Sequence, residues 1–288
     1  MKIPILTTGC SGLVGSRVAD ILQHKYLFED LSLATGINIT HLDELEKHIA
    51  SSRADVILHM AAKTDVDSCE DDKAYGEEGA AWMVNVVGTE NVVNCAEKFN
   101  KRVIYISTDF VFDGNKEYFS ESDLPNPVNW YGETKLEGEN IVLNSGNASI
   151  IRIAYPYKKD VLEKKDFVHR IWDNIVLGKQ IFGVSDHVIT PTFIDDIALV
   201  LDIFLERKLT GIFHAVGGES LTAYEAADNI GKVFGKKAKI KAITRSEYFQ
   251  GRAFRPFKLA LKNDKIRQLG IRMKTFSEGL EIIKETVK

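Results

Sequence analysis

Between residues 9 and 15 the chain reads Gly9-Cys10-Ser11-Gly12-Leu13-Val14-Gly15, directly after the apolar run Lys2–Thr7 and directly before a helical pattern with Val14, Val18, Ile21 and Leu22 on one face. Three glycines so placed tie the N-terminus to a strand–turn–helix unit. Gly9 can take a tight turn, Gly12 lets the backbone approach a pyrophosphate, and Gly15 allows helix to pack close on strand. The helix N-terminus then offers free N–H groups and a positive dipole end to phosphates. No Gly-Lys-Ser/Thr closes the turn, which excludes a P-loop. A purely structural turn would also use these glycines. Their place after the first strand and before an apolar helix favours a dinucleotide, with Gly9, Ser11, Gly12, Leu13, Val14 and Gly15 as the lining residues.

Strands and helices alternate through the first half. Asp55–His59, Arg102–Ser107 and Ser149–Ile153 read as buried strands, and Leu31–Thr35 as a weaker one. Helical patterns cover Leu13–Gln23, Leu42–Ala50, Trp82–Phe99 and Trp130 to about Leu143, and Asp113–Asn129 is a loop. Such alternation predicts an α/β fold of the Rossmann type, a doubly wound parallel sheet covered on both faces. After Tyr155 the pattern loosens, with helices at Phe167–Leu177, Ile194–Leu205 and Tyr224–Phe234 and a strand at Gly211–Val216. Gly235–Lys241 is basic and reads as solvated surface. The expected division is a dinucleotide-binding domain over 1–153 and a smaller C-terminal substrate-binding lobe over 154–288, partly interleaved with it. If the second strand ends near Thr35, the place of the acidic residue that holds an adenosine ribose reads Ala34-Thr35-Gly36. It has neither the Asp of NAD sites nor an Arg for NADP, so NAD or NADP stays open.

A net charge of −4 gives no global positive field for nucleic acid. The opening apolar run is too short for a signal peptide, and no run approaches a membrane span. Cys10, Cys69 and Cys95 are odd in number and widely spaced, which fits thiols in a reducing compartment and so the cytoplasm. The seven histidines form no HExxH or other metal spacing, and no metal is expected.

The chemistry points to Tyr131-Gly132-Glu133-Thr134-Lys135, where a Tyr and a Lys lie four apart on one predicted helix face. A free phenol has a pKa near ~10, and a neighbouring ammonium lowers it. The pair can then pass a proton to a sugar oxygen during hydride transfer. Upstream, the strand ending Ser107-Thr108-Asp109 opens on the carboxyl edge of the sheet, where open α/β folds bind ligands. Thr108 can hydrogen-bond the same carbonyl oxygen as Tyr131.

Together these stretches resemble the dTDP-4-dehydrorhamnose reductase family within the extended short-chain dehydrogenase/reductase superfamily. The resemblance also rests on Ala61-Ala62-Lys63-Thr64-Asp65-Val66-Asp67 with Glu70, on Asn85, on Ser107–Gly114 and Tyr131–Glu139, and on Thr190-Pro191-Thr192, Asp195-Asp196, Gly211–Gly218 and Arg255-Pro256. It implies a cytoplasmic NAD- or NADP-dependent oxidoreductase that reduces the 4-keto group of a nucleotide-linked sugar, with a homodimer as the family's frequent state. By that resemblance Tyr131 is the proton donor, Lys135 orients the nicotinamide ribose, and Thr108 polarises the keto oxygen. Asp109 and Phe110 border the sugar and Tyr155 closes it. Ala61, Ala62 and Lys63 line the cofactor, Asn38 and Ile39 flank the adenine, and Arg255 lies near the nucleotide end of the substrate. The chain departs from the family pattern at Phe110, where a Tyr is usual, at Lys63 for an aromatic or His, at Tyr155 for Trp and at Leu259 for Ser. Two other readings carry over: an epimerase or dehydratase of the same superfamily, and a non-catalytic subunit resembling the methionine adenosyltransferase β subunit.

Overall fold

The computed structural model describes residues 1–160 and 164–286. In chain order the first half holds β1 (Ile3–Thr8), α1 (Leu13–Leu22), β2 (Tyr26–Asp30), α2 (Leu42–Ser51), β3 (Val56–His59) and α3 (Val66–Asp72). Next come α4 (Ala80–Trp82), α5 (Gly88–Lys98), β4 (Arg102–Thr108), α6 (Trp130–Asn144) and β5 (Ala148–Ile153). The second half adds β6 (Pro156–Tyr157), α7 (Phe167–Val176), β7 (Gln180–Val184), β8 (Val188–Ile189), β9 (Thr192–Phe193), α8 (Ile194–Glu206) and β10 (Gly211–His214). It ends with β11 (Leu221–Thr222), α9 (Ala223–Val233), β12 (Lys239–Ile243), α10 (Arg245–Tyr248), α11 (Asp264–Gln268) and α12 (Phe276–Lys284).

Six strands form one parallel sheet in the order β10-β5-β4-β3-β1-β2. β3, β4 and β5 are buried along their whole length, as strands covered on both faces must be, and each has an apolar centre, Val56–Leu58, Val103–Ile106 and Ile150–Ile151. Successive residues point to opposite faces. Ile5, Ile104 and Ile151 therefore meet Val18 of α1 and Ile197 and Leu201 of α8 on one side. Leu6, Ile57 and Ile150 meet Leu45 of α2, Val92 of α5 and Val142 of α6 on the other. Strand order reverses between β1 and β3, so the crevice at their carboxyl ends is where such a sheet takes a ligand. The second half packs α7, α9 and α12 around Tyr157, Phe193 and Phe276, with β7 paired to β12.

Three expectations change. The second strand is Tyr26–Asp30, not Leu31–Thr35, and Leu33–Thr35 is a 3₁₀ turn. As an edge strand, β2 buries Tyr26 and exposes Leu27, so it lacks the apolar run that marks its neighbours. Trp82–Phe99 is not one helix, because Met83–Val87 widens into a π turn. Part of the basic stretch Gly235–Lys241 is strand β12, although Lys239 and Lys241 still face solvent.

Candidate functional site

The glycine-rich turn fits a dinucleotide. Gly9 has φ of 73°, and a Cβ there would sit 2.7 Å from Ala61 N. A Cβ on Gly15 would sit 2.5 Å from Gly9 O. The missing side chains thus bring β1, α1 and the segment after β3 together and leave a bare backbone cradle at the start of α1. Ala61 closes its other side, with Ala61 N donating to Thr8 Oγ1 at 3.2 Å. Ile39 is buried, its carbonyl accepting from Asn91 Nδ2 at 3.0 Å, while Asn38 stays half-buried beside it. Lys63 is turned away by an ion pair with Asp72.

At the carboxyl end of β4, Thr108, Asp109 and Phe110 are all buried. The Thr108 hydroxyl donates to Asp109 Oδ1 at 3.0 Å and accepts from Phe110 N at 3.2 Å. α6 comes unusually close because of its glycines. A Cβ on Gly132 would meet Phe110 O at 2.3 Å, and one on Gly138 would meet Tyr105 Oη at 2.4 Å. Tyr131 is thereby pressed edge-on against Phe110, ring centres 5.6 Å apart, in the same wall as Thr108 and Asp109. Among the described residues, Asp109 Oδ2 and Ser107 Oγ are buried without a hydrogen-bond partner, so both atoms are free to bond a polar group placed against this wall.

Lys135 makes its own hydrogen bonds to β4 and none to Tyr131. Its Nζ donates to Tyr105 Oη at 2.6 Å and to Ile106 O at 2.9 Å, which holds it against β4. Burial pushes its pKa down to about 7, with Glu139 partly opposing. Burial also drives the Tyr131 phenol well above its ordinary value; Thr108 offsets a part, and Asp109 adds to the rise. Asp109 itself is pushed up to about 7 by burial, against a hydrogen bond from Thr108. A carboxyl so placed binds its proton more tightly in the fold than in the open chain. Its stabilising contribution is present below about pH 4 and lost as pH rises through about 7. Asp109→Asn should therefore flatten stability between these values, so its advantage over the parent in urea unfolding grows with pH; an advantage that shrinks with pH would contradict the buried protonated carboxyl.

Tyr155 lies half-buried with φ of 41°, a left-handed conformation that costs a residue with a side chain strain. Tyr155 Oη and His187 Nε2 are 2.8 Å apart, and His187 Nδ1 lies 2.7 Å from Pro256 O. Because the carbonyl must accept, Nδ1 carries the proton and Nε2 accepts from the tyrosine. Burial holds His187 down to about 4. Behind this pair a cavity of about 420 Å³ opens into the second half, lined by Phe167, Arg170, Asn174, Phe182, His187 and Phe249 among others. Arg255 is pinned to Asp67 at 2.7 Å and stacks 4.9 Å from the Phe249 ring, one residue layer from that cavity. Leu259 is fully buried in the apolar cluster around Phe112 and Phe119.

Asn85 and Glu139 belong to the stretches that carry the family resemblance, but the contacts they make are not readable from the sequence. Asn85, on the π turn, accepts from Lys63 N at 2.8 Å and donates to Lys63 O at 3.1 Å and Thr134 Oγ1 at 3.0 Å. It thereby ties the segment after β3 to the helix that carries Tyr131 and Lys135. It stands inside the otherwise apolar run Met83–Val87. Glu139 forms a fully buried bidentate pair with Arg152, at 2.8 and 2.6 Å. Among the described residues no group of three or more His, Cys, Asp or Glu side chains could hold a metal, and no helix is long and apolar enough to cross a membrane.

A glycine cradle at the switch point of a parallel sheet, with a Tyr-x-x-x-Lys helix laid against the strand that ends in Thr108, defines a member of the extended short-chain dehydrogenase/reductase superfamily. The chain belongs to the family described as the RmlD substrate binding domain, whose model matches residues 1–288. It is 31% identical to dTDP-4-dehydrorhamnose reductase of Aggregatibacter actinomycetemcomitans over 97% of this chain and 98% of that protein. It is also 30% identical to methionine adenosyltransferase 2 subunit beta of Mus musculus, over 96% of this chain and 86% of that one. Among solved structures, dTDP-4-dehydrorhamnose reductase of Bacillus anthracis in complex with NADP superposes with a TM-score of 0.90 at 26% identity, covering 99% and 100% of the two chains. The UDP-glucose 4-epimerase of Thermus thermophilus complexed with NAD shares the fold at 19% identity and a TM-score of 0.83, with 98% of each chain covered.

Proposed function

We propose that this chain is a nicotinamide-dependent reductase of the 4-keto group of a nucleotide-linked 6-deoxysugar, acting as dTDP-4-dehydrorhamnose reductases do. The observation that carries the reading is the convergence of Thr108, Asp109 and Tyr131 in one buried wall, with Lys135 behind it, at the carboxyl end of β4. A bound nicotinamide supplies the hydride. Backbone N–H groups at Gly12–Gly15 and the dipole of α1 hold the pyrophosphate, and the bare glycines give it room. Thr108 donates to the keto oxygen, and Tyr131 gives its proton to the oxygen as negative charge develops there. The tyrosine is fully protonated near neutrality, so it enters the reaction as the acid. Lys135, held on Tyr105 here, would hold the nicotinamide ribose when the cofactor is bound, and its positive charge would there favour loss of the Tyr131 proton.

Asp109 and the Phe110 ring border the sugar, and the carboxyl, protonated below about pH 7, can donate to a sugar hydroxyl. Tyr155 closes the sugar from the second half, and the cavity behind it is sized and lined for the nucleotide, with Arg255 at its margin. Residues 1–153 then bind the cofactor and 154–288 the substrate, interleaved through α8 and β10. Asn38, Ile39, Ala61 and Ala62 line the adenosine half. The protein works in the cytoplasm, as a homodimer.

The test is a panel of nucleotide-linked 4-keto sugars incubated with NADH and with NADPH, following loss of reduced nicotinamide. Turnover confined to 6-deoxy-4-keto sugars is expected. A tightly retained NAD with no net consumption would make the protein an epimerase. The likeness to the mouse methionine adenosyltransferase subunit favours one second reading, a regulatory subunit. Absence of turnover on the panel together with a stoichiometric enzyme partner in a pull-down would establish it.

A further inference from the structure

Tyr155 stands between two spaces that a substrate would span. Its ring packs on the cluster that holds Phe110 and Tyr131, and the same residue lines the cavity of about 420 Å³. The backbone fixes it there. The φ of 41° falls in the two-residue link between β5, which ends at Ile153, and β6, which begins at Pro156. The Tyr155 carbonyl accepts from Thr192 N at 3.2 Å. A strained conformation of this kind persists only where its surroundings over-determine it. His187 is fixed as well. Its carbonyl accepts from Ala223 N at 3.3 Å, its ring meets that of Phe249 edge-on at 6.1 Å, and Nδ1 donates to Pro256 O at 2.7 Å.

These bonds settle where the protons point. With Nδ1 donating to a carbonyl, Nε2 of a neutral imidazole has only a lone pair to offer, and the single O–H of Tyr155 is committed to it at 2.8 Å. Burial keeps the imidazole neutral, with Arg245 and Arg255 adding to the effect and the Pro256 carbonyl and Asp186 opposing it. Burial, with Asp109 adding and Arg255 opposing, likewise keeps the phenol protonated near neutrality. Tyr155 Oη is left with lone pairs alone. We infer that His187 is a positioning residue that makes Tyr155 a hydrogen-bond acceptor toward the substrate, so that the site requires a free ring hydroxyl on the sugar. The inference rests on the reductase reading and adds a specificity to it. An indole at position 155, the residue of the family pattern, could only donate, whereas the phenol tied to His187 can only accept. The same arrangement turns away groups that bring lone pairs alone. An ether, carboxylate or phosphoryl oxygen set against Tyr155 Oη would leave both atoms desolvated with no proton between them.

The experiment is steady-state kinetics on the full chain with dTDP-4-dehydrorhamnose, its 2-deoxy and 3-deoxy analogues, and the two matching deoxyfluoro analogues, in which fluorine can accept a hydrogen bond but not donate one. At one of the two positions the parent should lose about tenfold or more in kcat/KM on the deoxy sugar, and as much on the deoxyfluoro sugar. Tyr155→Phe should lower kcat/KM on the intact sugar about tenfold, mostly through KM, and should no longer distinguish it from the deoxy analogue. His187→Leu should do the same. His187→Gln, whose amide carries an acceptor for the phenol and a donor for the Pro256 carbonyl, should recover most of the loss. Cofactor affinity and melting temperature are read on each variant. If His187→Leu melts well below the parent, Tyr155→Phe, which keeps the ring, decides alone. A deoxyfluoro analogue used much better than its deoxy partner would make Tyr155 a donor and overturn the inference. So would turnover by the parent that is indifferent to both deoxy positions, or a Tyr155→Phe variant that discriminates as the parent does. Absence of turnover by the parent on every sugar of the set would overturn the reductase reading and the inference with it, which separates the two failures.

Discussion

Replacing Tyr131 by Phe is expected to lower turnover by about 10²- to 10⁴-fold while leaving cofactor affinity nearly unchanged. The reason is local. The Tyr131 ring packs on Phe110, and Phe keeps that contact, so only the hydroxyl is lost. The hydroxyl is the group that gives up a proton as charge develops on the keto oxygen, so the cost falls on kcat rather than on ground-state binding. Thr108 remains to polarise the carbonyl, which leaves a residual rate. Steady-state kinetics on the best keto-sugar, paired with a cofactor titration, reads both quantities. A fall of less than about tenfold would remove Tyr131 from the role of acid.

The second large effect is on stability. Glu139→Ala should cost about 3–5 kcal/mol in chemical denaturation, because it strands the Arg152 guanidinium without its partner in a fully buried site. The arginine keeps a face contact, 4.9 Å from the Phe112 ring, and one long hydrogen bond, 3.4 Å, to Nε2 of His214, which burial holds down at about 3 and so leaves without charge to offset it. Replacing both members by apolar residues of similar volume, Glu139→Leu with Arg152→Met, should recover most of the loss. A double variant as unstable as the single one would show that the pair does more than satisfy its own charges. Glu139 is also the carboxylate that partly opposes the downward shift of Lys135, so its loss moves that lysine further down.

The parallel sheet was legible because β3, β4 and β5 are buried on both faces and carry apolar centres. β2 was not, because an edge strand with Leu27 exposed and Phe28, Glu29 and Asp30 only half-buried carries no such run. α6 shows the complementary difficulty. The helix itself was legible, but its inner face is Tyr131, Thr134, Lys135, Gly138, Glu139 and Val142, mostly polar or small, so apolar periodicity does not show which side is buried and the Tyr–Lys spacing does. The roles of Tyr105, Asn85 and Arg152 arise from contacts between segments far apart in sequence, which spacing cannot report. The bond from Tyr155 to His187 likewise joins residues far apart in sequence, and the positive φ of Tyr155 leaves no local turn signal.

β10 supplies the last strand of the central sheet from residues 211–214, long after its neighbour β5 at 148–153. On the ribosome, β5 therefore emerges with one edge satisfied by β4 and the other bare, an apolar strand with open backbone groups. It stays so while α7, β7 and α8 are being synthesised. A nascent chain in this state is a natural client for chaperones that shield strand edges. It also means that a chain cut after residue 153 keeps the nucleotide cradle but loses the strand and the helix that seal its sheet, and such a fragment is set up to pair with its own copies.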